Sequence, residues 1–307
     1  MENSKDIRIM FMGTPDFAAI ILDDLMKNGY NVKSVVTKTD ARRDRGHKIK
    51  FSAVKETALS YGLTVYQPET FKNNAFLDIL KAEDPEMIIV AAYGKILPPY
   101  VISYPKYGCI NAHASLLPKY RGAAPIQYAI LNGEKESGVT AMLMDNGLDT
   151  GDMLVKKAVE ITDDDTGGSL HDKLAKIGCE VIKEAVDNID TITPEKQDES
   201  LMTYARQIKK EDTVIDFSHS CENIINKIRA FTPFPGTSFF VNGNSYKIHK
   251  AVIYMKGEPK HETGTVTEFN KNGIFIQAND GIIQITELQP AGKKRMTASD
   301  FYNGNKL

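Results

Sequence analysis

The sequence predicts an α/β protein: an open, mostly parallel, doubly wound sheet followed by a second, smaller β-barrel domain. Three observations predict it. The chain opens on an apolar strand over residues 7–12, the turn Gly13-Thr14-Pro15-Asp16-Phe17 and an amphipathic helix stopped by Gly29. Strand, glycine turn and helix is the opening unit of doubly wound, Rossmann-like sheets. Apolar and amphipathic segments then alternate to about residue 188. Beyond residue 200 come five short strands, roughly 238–241, 246–254, 264–269, 274–278 and 282–288, with Asn242-Gly243, Asn272-Gly273 and Asp280-Gly281 at their turns. Strands at that spacing suit a small OB-like barrel.

Each element has its own warrant. Pro15 and Asp16 suit a helix N-terminus, where proline needs no donor and the carboxylate complements the dipole. The turn holds one glycine where a dinucleotide site shows GxGxxG, which argues against NAD. A strand over 32–36 leads into the most basic stretch, where Lys38, Arg42, Arg43, Arg45, Lys48 and Lys50 face only Asp40 and Asp44. With Gly46 and no apolar periodicity, this stretch reads as a loop. A helix over 52–61, a strand near Val65 and a helix over 74–82 lead to Met87-Ile88-Ile89-Val90-Ala91-Ala92-Tyr93. That run is apolar throughout, as a central strand covered on both faces should be. After a further buried strand come a helix from Pro125 to about Asn132, strands over 139–144 and 153–161, and a long helix over 169–188. Residues 190–200, rich in Thr, Asp and Glu with Pro194, read as a linker. The expected domains are therefore 1–203 and 204–307, the second opening on a helix over 218–231.

Two stretches carry the candidate chemistry. Tyr107-Gly108-Cys109-Ile110 reads as a buried strand running into Asn111-Ala112-His113 and the loop Ser115-Leu116-Leu117-Pro118. Strand alternation puts Asn111 and His113 on one face, roughly 7 Å apart at about 3.3 Å per residue. Asp149 sits in Leu148-Asp149-Thr150-Gly151, past the strand at 139–144. An amide, an imidazole and a carboxylate brought together suit acyl transfer: the amide donates to a developing oxyanion, the imidazole moves protons and the carboxylate orients it. A Cys–His acyl transferase is a rival reading, since Cys109 shares the strand face; an extended strand would hold Cys109 and His113 about 13 Å apart, beyond hydrogen-bond reach. A nucleic-acid-binding protein without chemistry is a rival from a different class, and the Asn111, His113 and Asp149 set argues against it.

Composition excludes several classes. The chain has 307 residues, 42% apolar and 25% charged, the balance of a soluble globular protein. Its three cysteines, Cys109, Cys179 and Cys221, form neither a disulfide framework nor a CxxC pair, which suits a cytoplasmic protein. Residues 1–6 hold no signal-peptide apolar region, and no apolar run approaches membrane-spanning length. The six histidines are scattered and no His, Cys, Asp or Glu cluster has ligand spacing, so no metal is expected. Residues 201–307 carry 14 Lys and Arg against 10 Asp and Glu, leaving 24 against 30 for the first 200 residues. A net +4 follows a net −6.

These motifs also resemble a known family. Gly13-Thr14-Pro15-Asp16-Phe17, Ile110 to Pro118 with Arg121-Gly122-Ala123-Ala124-Pro125-Ile126-Gln127, and Leu148-Asp149-Thr150-Gly151-Asp152 are similar to the methionyl-tRNA formyltransferases, a branch of the formyl-folate transferase family. Gln289-Pro290-Ala291-Gly292-Lys293-Lys294 and the segment from Arg229 to Pro235 carry the resemblance through nearly the whole chain. It implies transfer of a formyl group from 10-formyltetrahydrofolate to the α-amine of methionine on charged initiator tRNA, with Asn111, His113 and Asp149 catalytic. It implies a folate site at Tyr93, Gly94, Ile96, Leu97, Ser115, Leu116, Leu117 and Pro118. It implies a tRNA or methionyl surface at Phe17, Arg42, Arg45, Lys48, Lys50, Lys293, Lys294 and Arg295, on a monomer with no membrane contact. Relatives commonly show Asp-Arg-Pro-x-Gly-Arg-Gly-Lys in the basic loop; this chain has Asp40-Ala41-Arg42-Arg43-Asp44-Arg45-Gly46-His47-Lys48 and keeps the Arg45-Gly46 pair. The alternative acceptor within the family is a sugar-nucleotide or ribonucleotide amine.

Overall fold

In chain order the first part of the molecule forms β1 (Ile9–Gly13), α1 (Asp16–Lys27), β2 (Val32–Val36), β3 (Ala41–Arg43), β4 (Lys48–Lys50), α2 (Ala53–Ser60), β5 (Thr64–Tyr66), α3 (Leu77–Glu83), β6 (Met87–Ala91), α4 (Pro99–Ile102), β7 (Cys109–His113), β8 (Arg121–Gly122), α5 (Pro125–Leu131), β9 (Glu136–Leu143), β10 (Met153–Glu160), α6 (Gly167–Asp187) and β11 (Tyr204–Ala205). It continues as α7 (Cys221–Ala230), β12 (Thr237–Val241), β13 (Asn244–Lys256), β14 (Val266–Asn270), β15 (Gly273–Ala278), β16 (Gly281–Pro290), β17 (Met296–Thr297) and α8 (Ala298–Gly304). The structure, a computed structural model, describes residues 4–43 and 48–304. It divides into two units: Met1–Gly122, Ser137–Val159 and His171–Tyr204 make the first; Ala123–Glu136, Glu160–Leu170 and Ala205–Leu307 make the second.

The first unit is Rossmann-like, built on a seven-stranded sheet in the order β10-β9-β7-β6-β1-β2-β5. Strands β1, β6 and β7 are buried at every position, as strands covered on both faces must be. From β5 to β7 the pairing is parallel, so the carboxyl ends of these strands share one edge. Met12 pairs with Val90, and Val90 with Asn111. Helix α1 follows from the spacing of Phe17, Ala18, Ile21, Leu22 and Leu25, all buried, on one stripe of a 3.6-residue period. Gly13 is required at the turn, because a Cβ there would lie 2.6 Å from the Ala18 Cβ. Strand β7 meets β9 antiparallel, with His113 opposite Thr140 and Ile110 opposite Leu143. The carboxyl end of β9 therefore lies level with Ile110, and the loop after it has to run back to bring Asp149 to His113.

Two expectations are corrected here. The basic stretch is not loop throughout: Ala41 pairs with Lys50, Arg42 with Ile49 and Arg43 with Lys48 in an antiparallel ladder. Its root is tied down, with the Asp40 carboxylate accepting from Lys55 Nζ at 2.6 Å and Gln67 Nε2 at 2.8 Å. Residues 190–200 are not a plain linker either. Met153 and Glu195 bridge antiparallel, and the side chains that follow enter the site described below.

The second unit holds an antiparallel sheet in the order β12-β13-β16-β15-β14, with β17 beside β16. Irregular registers along β13 let a 13-residue strand bend. One core collects Phe239 from β12, Tyr246 and Ile248 from β13, Ile274 and Ile276 from β15, Ile283 and Ile285 from β16, Ile224 and Ile228 from α7, and Phe301 from α8. Side chains from so many strands reach one core because the sheet curls around it, as in a small barrel. Among the described residues no helix is long and apolar enough to cross a membrane.

Candidate active site

The last residues of β7 and the segment after them build the site. Asn111 and His113 are 9% and 6% exposed. The His113 ring is fixed at one nitrogen and faces a carboxylate with the other: Nε2 lies 2.9 Å from the Tyr120 carbonyl oxygen, and Nδ1 lies 3.6 Å from Asp149 Oδ2, beyond hydrogen-bond range but within reach of an ion pair. A carbonyl oxygen only accepts, so Nε2 carries a proton and Nδ1 is the nitrogen whose proton can come and go. The same Asp149 oxygen accepts the Gly122 N–H at 2.8 Å. Tyr120 and Gly122 thus each hold one member of the pair.

The turn between His113 and Tyr120 is stitched to β9. Thr140 Oγ1 donates to the Ser115 carbonyl at 2.7 Å and accepts the Leu117 N–H at 3.2 Å; Ser115 Oγ donates to the Lys119 carbonyl at 2.6 Å. Leu117 is buried in a small cluster with Met142 and Met153, and a Cβ at Gly138 would lie 2.4 Å from Leu116 Cδ2. Ser115 and Leu117 therefore spend their side chains on the loop and the sheet.

The loop carrying Asp149 is built by polar contacts and close packing. Asp145 Oδ1 accepts the Gly147 N–H at 2.9 Å and the Thr150 hydroxyl at 2.6 Å, an Asx turn. A Cβ on Gly151 would lie 1.6 Å from the Leu143 carbonyl oxygen, so nothing larger fits. Asp149 itself adopts φ 54, a left-handed conformation that aspartate tolerates better than most residues. Gln197 holds it there: its Nε2 donates to the carbonyls of Asp149 and Gly151 at 2.9 and 2.8 Å.

At the end of β6, Tyr93 and Leu97 turn into the core with Phe71, Phe76 and Val101, while Gly94 is exposed and Ile96 is 94% exposed. Leu148, beside Asp149, is 60% exposed. Burial pushes Tyr93 well above the ordinary phenol range. Phe17 is buried, its ring 5.9 Å from that of His171 and facing Gly178 of α6. Lys50 is exposed, as are Lys293, Lys294 and Arg295; Arg295 Nε donates to Glu287 Oε2 at 2.7 Å. Arg45 and the side chains of Arg42 and Lys48 lie outside the described residues. Sequence reasoning missed Gln197 and Glu199, which meet the buried Arg121 side chain.

Cys109 does not join the trio. It lies in the core with Met10 and Ile88, its thiol donating toward the Val101 carbonyl at 3.6 Å. Burial pushes that thiol up to about 12.

An amide, an imidazole and a carboxylate at the edge of a Rossmann-like sheet are groups that suit a group-transfer enzyme. Residues 7–186 match the formyl transferase family and residues 207–306 match the formyl transferase C-terminal domain. The chain belongs to the formyl transferase family. Over 306 residues it is 47% identical to the methionyl-tRNA formyltransferase of Caldanaerobacter subterraneus subsp. tengcongensis, with 98% of each chain covered. Among solved structures, a variant of HypX from Aquifex aeolicus superposes with a TM-score of 0.66 at 18% identity, covering 98% of this chain and 48% of that one, so this chain spans about half of HypX. An N-formyltransferase from Helicobacter canadensis, in complex with folinic acid and dTDP-3-aminofucose, gives 0.63 at 23% identity over 92% of this chain and 99% of its own. At such identities the likeness is one of fold.

Proposed function

We propose that the protein transfers the formyl group of 10-formyltetrahydrofolate to the α-amine of methionine esterified to initiator tRNA, acting as a monomer in the cytoplasm. One observation carries the reading: the likeness to a methionyl-tRNA formyltransferase runs through 98% of the chain, so it includes the second unit as well as the transfer site. A sugar-nucleotide amine is the less favoured acceptor, since identity to the N-formyltransferase with a bound aminosugar nucleotide is 23%.

The residues fit a folate co-substrate at the end of β6. Ile96 and Leu148 leave large aliphatic surface exposed, which a flat ring system would bury. Tyr93, Gly94, Ile96, Leu97 and Ser115 to Pro118 bound this face, with Tyr93, Ser115 and Leu117 contributing backbone rather than side chain. Residues 1–203 carry the chemistry and residues 204–307 contact tRNA through Lys293, Lys294 and Arg295. The basic hairpin adds Arg42, Arg45, Lys48 and Lys50, and Phe17 borders the methionyl end.

In the reaction the neutral amine attacks the formyl carbon. The carbonyl electrons move onto oxygen, where Asn111 Nδ2 donates to the growing negative charge. The new ammonium gives its extra proton to His113 Nδ1, whose cationic ring Asp149 Oδ2 then faces. That proton passes on to N10 as the carbon–N10 bond breaks, releasing the formylated amine and tetrahydrofolate. The test is formyl transfer from 10-formyltetrahydrofolate to methionyl initiator tRNA by wild type and His113→Ala. Loss of the proton carrier lowers kcat by about 10²–10⁴-fold; no transfer by the folded wild type would overturn the proposal.

A further inference from the structure

We infer that Gln197, locked by Arg121, is a positioning residue that sets the Asp149 carboxylate against His113. The inference rests on the catalytic assignment of Asp149 above. Arg121 is the largest of the fully buried side chains, 1% exposed. A buried guanidinium is costly unless its donors are used, and here they are used in two directions. Nε and Nη2 donate to Gln197 Oε1 at 3.0 and 2.8 Å, while Nη1 and Nη2 donate to the Glu199 carboxylate at 3.1 and 2.7 Å. The guanidinium holds the Glu199 carboxyl below its ordinary value.

With its oxygen fixed by Arg121, the Gln197 amide has one orientation, and both of its hydrogens point at the Asp149 and Gly151 carbonyls. These two bonds flank the residue whose φ of 54 most needs holding. The Arg121 backbone completes the device: its N–H donates to the Thr203 carbonyl at 2.9 Å. Its neighbours on either side, Tyr120 and Gly122, bond His113 and Asp149. One buried arginine therefore ties the backbone that holds the imidazole to the glutamine that holds the carboxylate. Gln197 touches no reacting atom; it acts through Asp149.

Gln197→Glu separates this role from simple packing. The carboxylate keeps the shape and the Arg121 contact but has no hydrogens for the two carbonyls. We expect a folded protein with a lowered melting temperature, since two carbonyls lose their donor and face an oxygen instead, with unchanged KM for both substrates and a kcat reduced by about 10–100-fold, the cost of a misplacement on the order of 1 Å. Gln197→Asn, which keeps the donors on a shorter stem, recovers part of kcat. In an Asp149→Ala background Gln197→Glu costs nothing further, because the residue being positioned is gone. Should Gln197→Glu fail to fold, Arg121→Lys, which keeps the charge and loses the fork, is read in the same two backgrounds. Wild-type kcat in the folded Gln197→Glu variant, or equal losses with and without Asp149, overturns the inference. An Asp149→Ala variant of undiminished kcat overturns the site assignment instead.

Discussion

Asn111 and His113 share a strand face, yet their surroundings differ, and so do the jobs they can do. His113 is held at Nε2 by the Tyr120 carbonyl and turns Nδ1 toward Asp149, which leaves Nδ1 as the nitrogen open to a substrate proton. Cys109 lies two residues before Asn111 on the same face but faces the core, and its neutral form is the one burial favours. Because burial raises the thiol to about 12, thiolate forms only as pH climbs towards that value, and the thiol stays uncharged near neutrality. Cys109→Ser is expected to keep full transfer activity and to lower stability by about 1–2 kcal/mol through its altered hydrogen bond to Val101. Steady-state rates and chemical denaturation check this; an inactive but folded variant would revive thiol chemistry. The Asn-x-His pair was legible in the sequence because a strand's two-residue period dictates which side chains meet. Gln197 was not: its partners are carbonyls of residues 149 and 151, and backbone acceptors leave no mark on residue type. Asp149 was legible from its glycines, but its route was not, because nothing local tells that β9 runs antiparallel to β7.

Among the elements, the barrel strands were readable because Asn-Gly and Asp-Gly pairs force tight turns, and each strand falls within a few residues of its expected place. The hairpin of β3 and β4 was not, since Ala41-Arg42-Arg43 and Lys48-Ile49-Lys50 are three residues each, too short to establish a two-residue period. Helix α8 carries a start signal in its own sequence. Thr297 Oγ1 accepts the Asp300 N–H at 3.1 Å and donates to the Asp300 carboxylate at 2.8 Å, the Thr-x-x-Asp pattern of a helix start. What α8 contributes is Phe301, buried at 2% exposure, with ring centroids 5.6 Å from Tyr246 and 5.7 Å from Phe269. It bridges the core faces of β13 and β14, which are not neighbours in the sheet. Phe301→Ala removes that bridge and leaves a cavity, costing about 3–5 kcal/mol. Denaturant unfolding followed by Tyr fluorescence should show the loss; a change below about 1 kcal/mol would mean that the core collapses around the gap.

Across the whole molecule the charge is divided, −6 over the first 200 residues and +4 over the rest, and a polyanionic acceptor would feel the two parts differently. The net figure hides how much of each cation is already spent. Arg295 gives its guanidinium to Glu287, whereas Lys50 and Lys294 are exposed. A lysine that neutralises a phosphate displaces a counterion, so each such contact adds about one unit to the slope of log affinity against log salt. Lys294→Ala and Lys50→Ala should each flatten that slope by about one for charged initiator tRNA. Arg295→Ala should flatten it by less, because a guanidinium already paired with Glu287 is not available to neutralise a phosphate. Binding curves for the full-length protein at four or more salt concentrations measure all three. Slopes unchanged in Lys50→Ala and Lys294→Ala would remove these residues from the tRNA surface, and an Arg295→Ala slope as shallow as that of Lys294→Ala would mean that the Glu287 pair opens on binding.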